Sequence, residues 1–200
     1  ANLSGGHWMS VDLENADLSG AFLAGTLIQD SNVKGANLAE ANLIGLSSAK
    51  CDWSDSDWSG VTSGGNLFIL SQFNRTRMEN SSLENSTFSS CSLNDMGGKG
   101  VSWKGVTVSK GSCERADLSA STLTGVQFSD LSLSGSRFNK ADTLQLKIDK
   151  SAAVDSFRRR LRGPVSVFSL DVHGVRFRGF LRQVDSRSRL DVFDKVPTNF

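Results

Sequence analysis

Apolar residues return along this chain with a period of five. Cut from residue 1, the first nine fives read ANLSG, GHWMS, VDLEN, ADLSG, AFLAG, TLIQD, SNVKG, ANLAE and ANLIG, and the third letter of each is apolar. The phase holds through residue 150. The third letter is apolar in 26 of 30 fives, and the first is Ala, Ser, Gly, Cys, Thr or Val in 25 of 30. None of the 28 charged residues of this stretch stands in the first or third place. Burying an ionised group without a partner is costly, so the two charge-free places point inward. A helix would repeat its apolar face near 3.6 residues and a strand near 2. A period of five suits neither as an extended element. It predicts a chain that turns a corner every five residues around an apolar interior.

The unit resembles the A-[DN]-L-x-x repeat of the pentapeptide-repeat family, most faithfully in ADLSG (16–20), ANLAE (36–40), ANLIG (41–45) and ADLSA (116–120). The resemblance covers residues 1–150 and implies an all-β fold, a right-handed quadrilateral β-helix with four fives to each coil of 20 residues. At about 4.8 Å per coil this makes a rod roughly 36 Å long. Residues 20 apart are then expected to stack. Phe68, Phe88, Val108, Phe128 and Ile148 would form one interior ladder, and Leu13, Val33, Trp53, Phe73, Leu93, Cys113 and Leu133 another. The expected structural core is led by Trp53, Trp58, Phe68, Phe73, Phe88, Trp103, Phe128 and Phe138. A single coil buries little, so neighbouring coils must build that core together.

The stretch CDWSDSDWSG (51–60) looks like a site, with two tryptophans among three aspartates. The register says otherwise. Trp53 and Trp58 are consecutive third-place residues, flanked in that place by Ser48 and Ser63, and Gly98 precedes Trp103 in the same way. Interiors are close-packed, so the small residues read as volume partners of the tryptophans. Asp52, Asp55 and Asp57 fall in outward places. The spacing D-x-x-D-x-D also lacks the D-x-D-x-D-G pattern and closing Glu of a calcium loop, and no metal or cofactor is expected.

Other chemistry is sparse. There are two histidines, His7 and His173, and no tyrosine. No G-x-S-x-G or phosphate-loop pattern is present, and no catalytic residues are expected. Three cysteines, Cys51, Cys91 and Cys113, form no C-x-x-C pair, which argues against a disulfide or zinc framework. They read as small core residues. No run of about eighteen apolar residues offers a membrane span, and no secretory signal is visible. The chain opens on Ala1 rather than Met, as expected of a processed chain or of one cut from something longer. GNLFILSQF (65–73) is the most apolar run, and its Leu67 and Ile69 occupy outward places. They are candidates for a contact patch.

Charge divides the chain in two. Residues 1–150 carry 16 acidic and 12 basic side chains, a balance of −4; residues 151–200 carry 5 and 10, a balance of +5, and hold both prolines. After Lys150 the fivefold phase stops. SAAVDSFRRRLRG (151–163) has Val154, Phe157 and Leu161 at helical spacing, with Ser151 as cap and Gly163-Pro164 as stop. VSVFSLDV and VRFRGFLRQV flank His173-Gly174 as a hairpin. The expectation is a helix-plus-hairpin cap over the end of the β-helix. Its Arg158, Arg159, Arg176, Arg178, Phe180 and Arg182 would form a docking surface for an acidic protein partner.

Three functions compete. The first is a non-catalytic protein-interaction scaffold, and the family resemblance extends this to bacterial effectors and secretion-associated adaptors. That places it in the bacterial cytoplasm, or outside the cell after delivery by a specialised secretion system. The second, also implied by the resemblance, is a DNA mimic that protects or inhibits DNA gyrase; a balance of −4 over 150 residues is weak for that role. Self-association through the C-terminal segment is a further alternative. The third, an enzyme, is disfavoured by the scarcity of titratable groups. Nucleic acid is not an expected partner, because the arginines of the tail are interspersed with aspartates.

Overall fold

The computed structural model describes residues 1–152, 165–172 and 175–180. Its backbone repeats one device. Every fifth residue from Gly5 to Gln145 has a positive φ, between 47° and 76°. That left-handed step turns the corner. Glycine takes it without strain, whereas other residues pay a steric cost there, and eighteen of the corner residues are not glycine. Coil-to-coil hydrogen bonding holds them in place. The N–H of Asn15 donates to the Lys34 carbonyl at 2.9 Å, and that of Glu40 to the Ser59 carbonyl at 3.0 Å.

Four corners make a coil, and the coils stack as an all-β parallel solenoid of about seven turns. We call the four sides A to D, with third-place residues 3, 8, 13 and 18 in the first coil. Side B is a continuous parallel sheet of His7–Met9, Leu27–Gln29, Ser47–Ala49, Leu67–Ile69, Thr87–Ser89, Thr107–Ser109, Gln127–Ser129 and Leu146–Ala152. On it Phe68 pairs with Phe88, Phe88 with Val108, Val108 with Phe128, and Phe128 with Ile148, which is the ladder expected from the 20-residue period. Side A carries the strands Thr62–Gly64, Ser82–Glu84, Ser102–Lys104, Thr122–Thr124 and Asp142–Leu144. Sides C and D are joined by single bridges such as Asp12 to Asn32 and Asp57 to Arg77.

The interior is one apolar column. Trp53, Trp58, Phe68, Phe73, Phe88, Trp103, Phe128 and Phe138 are all buried in it. Their rings touch in sequence, with Trp53 stacked on Phe73 and Phe68 on Phe88. First-place residues line the corners from inside. Thr26 donates to the Leu3 carbonyl at 3.0 Å, Thr76 to that of Trp53 at 3.1 Å, and Cys51 to that of Ile28 at 3.4 Å. The hydroxyl or thiol thereby satisfies a carbonyl of the coil before, which is why Ser, Thr and Cys are tolerated in an inward place.

The small third-place residues do more than the volume argument expected. Ser48 accepts the Trp53 indole N–H at 2.9 Å, but Trp58 donates to Ser56 instead, also at 2.9 Å. Ser63 is held by the buried Asn66 amide. Gly98 makes room for Met96 and Leu118, each 3.1 Å from where its Cβ would stand. Each undersized centre thus lies within three residues of an oversized first-place residue: Leu46 with Ser48, Asn66 with Ser63, Met96 with Gly98 and Leu146 with Thr143.

Past residue 150 the expected helix does not start at Ser151. Ser151 and Ala152 prolong the last strand of side B, opposite Leu170 and Asp171 of Val165–Val172. A parallel neighbour offers those backbone groups partners that a helix start would forgo. The rest of the expected helix, 153–163, lies outside the described residues. Val165–Val172 in turn pairs antiparallel with Val175–Phe180, as the hairpin reading required.

Candidate functional site

The sides of the rod differ sharply in charge. The seven strands of side B in coils one to seven read HWM, LIQ, SSA, LFI, TFS, TVS and QFS. Their outward letters include no Asp, Glu, Lys or Arg until Lys147 in coil eight. On side A the same holds for coils one to four, and the corner between A and B is Gly5, Gly25, Gly45 and Gly65. All 13 charged residues of positions 1–80 therefore lie on sides C and D or on the other three corners. Most large exposed apolar residues lie where charge is missing; Leu144, on the strand of Asp142, is the exception. Met9, Leu67 and Ile69 are on side B, Phe22 and Ile44 on side A, and Leu70 on the corner between B and C; Leu70 is 56% exposed. Exposed apolar residues on a charge-free face are candidates for a contact surface.

Part of the charge on sides C and D is paired along the rod. Asp55 takes two hydrogen bonds from Arg75, at 2.6 and 2.7 Å, and Asp95 takes two from Arg115, at 2.7 and 2.8 Å. These four residues form one row along the corner between C and D. The Arg75 hydrogen bonds hold the Asp55 carboxyl below its ordinary range, and Arg115 does the same for Asp95. On side D, Arg77 pairs with Asp57 and Arg137 with Asp117. The aspartates of CDWSDSDWSG are thus turn and ion-pair residues: Asp52 and Asp57 also accept the N–H groups of Ser54 and Ser59. A shallow depression on side C is bordered by Glu14, Asp30, Lys34, Lys50 and Asp52, a mixture of both signs.

Among the described residues no three His, Cys, Asp or Glu side chains are grouped to hold a metal ion. The three thiols are buried and unpaired with one another, and burial pushes Cys91 up to about 11 and Cys113 to about 12, which makes them poor nucleophiles. No described helix is long and apolar enough to cross a membrane.

The family model for pentapeptide repeats matches residues 1–45 and 112–142, with eight copies. These stretches are pentapeptide repeats. No curated protein sequence matches it significantly. Among solved structures, a trypsin-treated form of QnrB1, a plasmid-mediated fluoroquinolone resistance protein, is similar over 76% of this chain and 76% of its own, at 14% identity and a TM-score of 0.64. HetL, a pentapeptide repeat protein involved in heterocyst differentiation regulation in the cyanobacterium Nostoc, is 20% identical over 86% of this chain and 83% of its own, with a TM-score of 0.28. The first likeness shows the fold alone; the second carries no argument.

Within this pentapeptide-repeat rod, Leu67 and Ile69 come together on side B, as their outward places required. Arg176, Arg178 and Phe180 lie on the strand Val175–Phe180. Arg158, Arg159 and Arg182 are outside the described residues. The sequence reading missed Met9, Phe22, Ile44 and Leu70 as members of the same patch. The signal was present, but it appears only when charges are sorted by twenty, one side at a time, and not by five.

Proposed function

We propose that this chain is a non-catalytic protein-interaction scaffold, in which residues 1–150 present a rigid rod and residues 151–200 a basic capping and docking segment. One observation carries the reading: in coils one to four the rod keeps sides A and B free of Asp, Glu, Lys and Arg around exposed Met9, Phe22, Ile44, Leu67 and Ile69, and holds its charge on the other sides and corners. A rod of this kind suits a bacterial effector or secretion-associated adaptor, with the basic tail taking an acidic partner. The test compares proteins cross-linked to the full chain with those cross-linked to Ile44→Glu and to Arg176→Glu/Arg178→Glu. Loss of distinct partners from each variant is expected; identical sets for all three chains would overturn the reading.

Gyrase mimicry remains the second reading, favoured by one feature. Residues 1–60 hold eight acidic and two basic side chains, a balance of −6. Against it, residues 61–150 hold eight acidic and ten basic ones, so the negative field ends near coil three. A supercoiling assay with purified gyrase separates the two: no effect at micromolar protein is expected.

A further inference from the structure

Side B has a centre. Its charge-free stretch runs from coil one to coil seven, and the middle strand, in coil four, is the most apolar, with Leu67 and Ile69 outward and Leu70 on the corner beside them. We propose that side B is a self-association surface on which a second copy of the chain lies antiparallel, related by a two-fold axis that runs along the Leu67–Ile69 strand. The proposal rests on the reading of side B as a contact surface and names its occupant.

The support is one of register. An axis along that strand, lying in the contact plane, reverses the rod while leaving each corner opposite its own counterpart. Coil one then faces coil seven, two faces six, three faces five, and four faces itself. Leu67, Ile69 and Leu70 meet their own copies at the middle of the contact, where binding energy concentrates. The corner between B and C carries Ser10, Asp30, Lys50, Leu70, Ser90, Lys110 and Asp130 in coils one to seven. Asp30, which lies 3.9 Å from Lys50 of its own chain, comes opposite Lys110 of the second copy, twice by symmetry, and no like charges meet. At the other corner Gly5 faces Gly125, Gly25 faces Gly105, Gly65 faces itself and Gly45 faces Asn85, so the backbones can approach closely wherever glycine meets glycine. Coil eight, where charge returns with Lys147, lies outside this seven-coil contact.

The parallel alternative loses these matches. An axis along the rod turns the B–C corner onto the glycine corner, and leaves Asp30 and Lys110 without opposite charges across the contact. Such a closed, isologous pairing is the usual form of a dimer, and parallel sheets are ordinarily covered on both faces. Seven strands at about 4.8 Å, three residues wide, make a strip about 34 by 10 Å. That is about 340 Å² per copy, the size of a weak, reversible contact.

Sedimentation velocity of the full chain over the micromolar range tests it. A concentration-dependent monomer–dimer equilibrium is expected, weakened at least tenfold by Ile69→Glu, with the fold of each variant checked by circular dichroism. Asp30→Lys and Lys110→Asp should each weaken it several-fold, and the double exchange should restore it; this recovery is particular to the antiparallel register. Leu70→Cys should cross-link into a covalent dimer on mild oxidation, because the native thiols are buried. A chain that stays monomeric throughout overturns self-association, while the contact reading of side B is then judged separately by the partners that Ile44→Glu loses. Association untouched by Ile69→Glu also overturns the proposal, since the contact would lie elsewhere, the C-terminal segment included.

Discussion

The indole N–H of Trp53 donates to the hydroxyl of Ser48 at 2.9 Å, with both residues buried in the column. The serine that breaks the repeat pattern therefore completes its neighbour. Ser48→Ala would leave a buried donor without a partner, at a cost of about 1–3 kcal/mol. Adding Trp53→Phe removes the stranded donor, so the double variant should lose less than the sum of the two single losses. Urea unfolding of the four chains measures the coupling; strict additivity would deny the hydrogen bond any role.

Met96 and Gly98 form a second such pair, steric rather than polar. Gly98→Leu restores the consensus centre but drives atoms into Met96 and Leu118. Overpacking of this kind costs about 1–3 kcal/mol. Met96→Ala supplies the small first-place residue the consensus uses, and the double variant should recover most of the loss. A double variant as unstable as Gly98→Leu alone would mean that Leu118, not Met96, sets the space.

How far the sequence could be read follows from these two cases. The fivefold place of each residue told inside from outside, because a buried charge is too costly to appear in either inward register. Trp53 and Phe88 were legible in that way. The use of Ser56 by Trp58 was not, since it depends on which way an indole turns inside the column. The exposed apolar residues were half legible. Leu67 and Ile69 stood out as neighbours in sequence, whereas Phe22 and Ile44 join them only once coils are stacked. The start of the tail was misread because Ser151 looks like a helix cap until a parallel strand is placed beside it.

The corners make a backbone prediction. Gly20 and Ala120 occupy the same corner, between D and A, with φ of 59° and 56°. No atom stands within 4 Å of a Cβ added at Gly20, so Gly20→Ala isolates the cost of the left-handed conformation. It should destabilise by about 1 kcal/mol, and Ala120→Gly should stabilise by a similar amount. Equal thermal midpoints for all three chains would show that coil stacking, and not residue preference, sets the energy of the corner.

The ion-pair row sets a pH dependence. Arg75 and Arg115 lower the affinity of Asp55 and Asp95 for protons in the folded chain. The unfolded carboxylates titrate near 3.9, so the unfolded chain takes up protons first as the pH falls. The contribution of the row is thus intact above about pH 4 and fades as the pH drops through the lower folded values. The pairs are exposed, so their effect at neutral pH is small and screened by salt. Asp55→Asn/Asp95→Asn removes both titrations while keeping side-chain size. Its urea midpoint should lie close to that of the parent near neutral pH and fall less steeply below pH 4. Identical acid limbs for the two chains would mean that the row carries no linkage, and that the arginines on that corner serve only to cancel the charge of sides C and D.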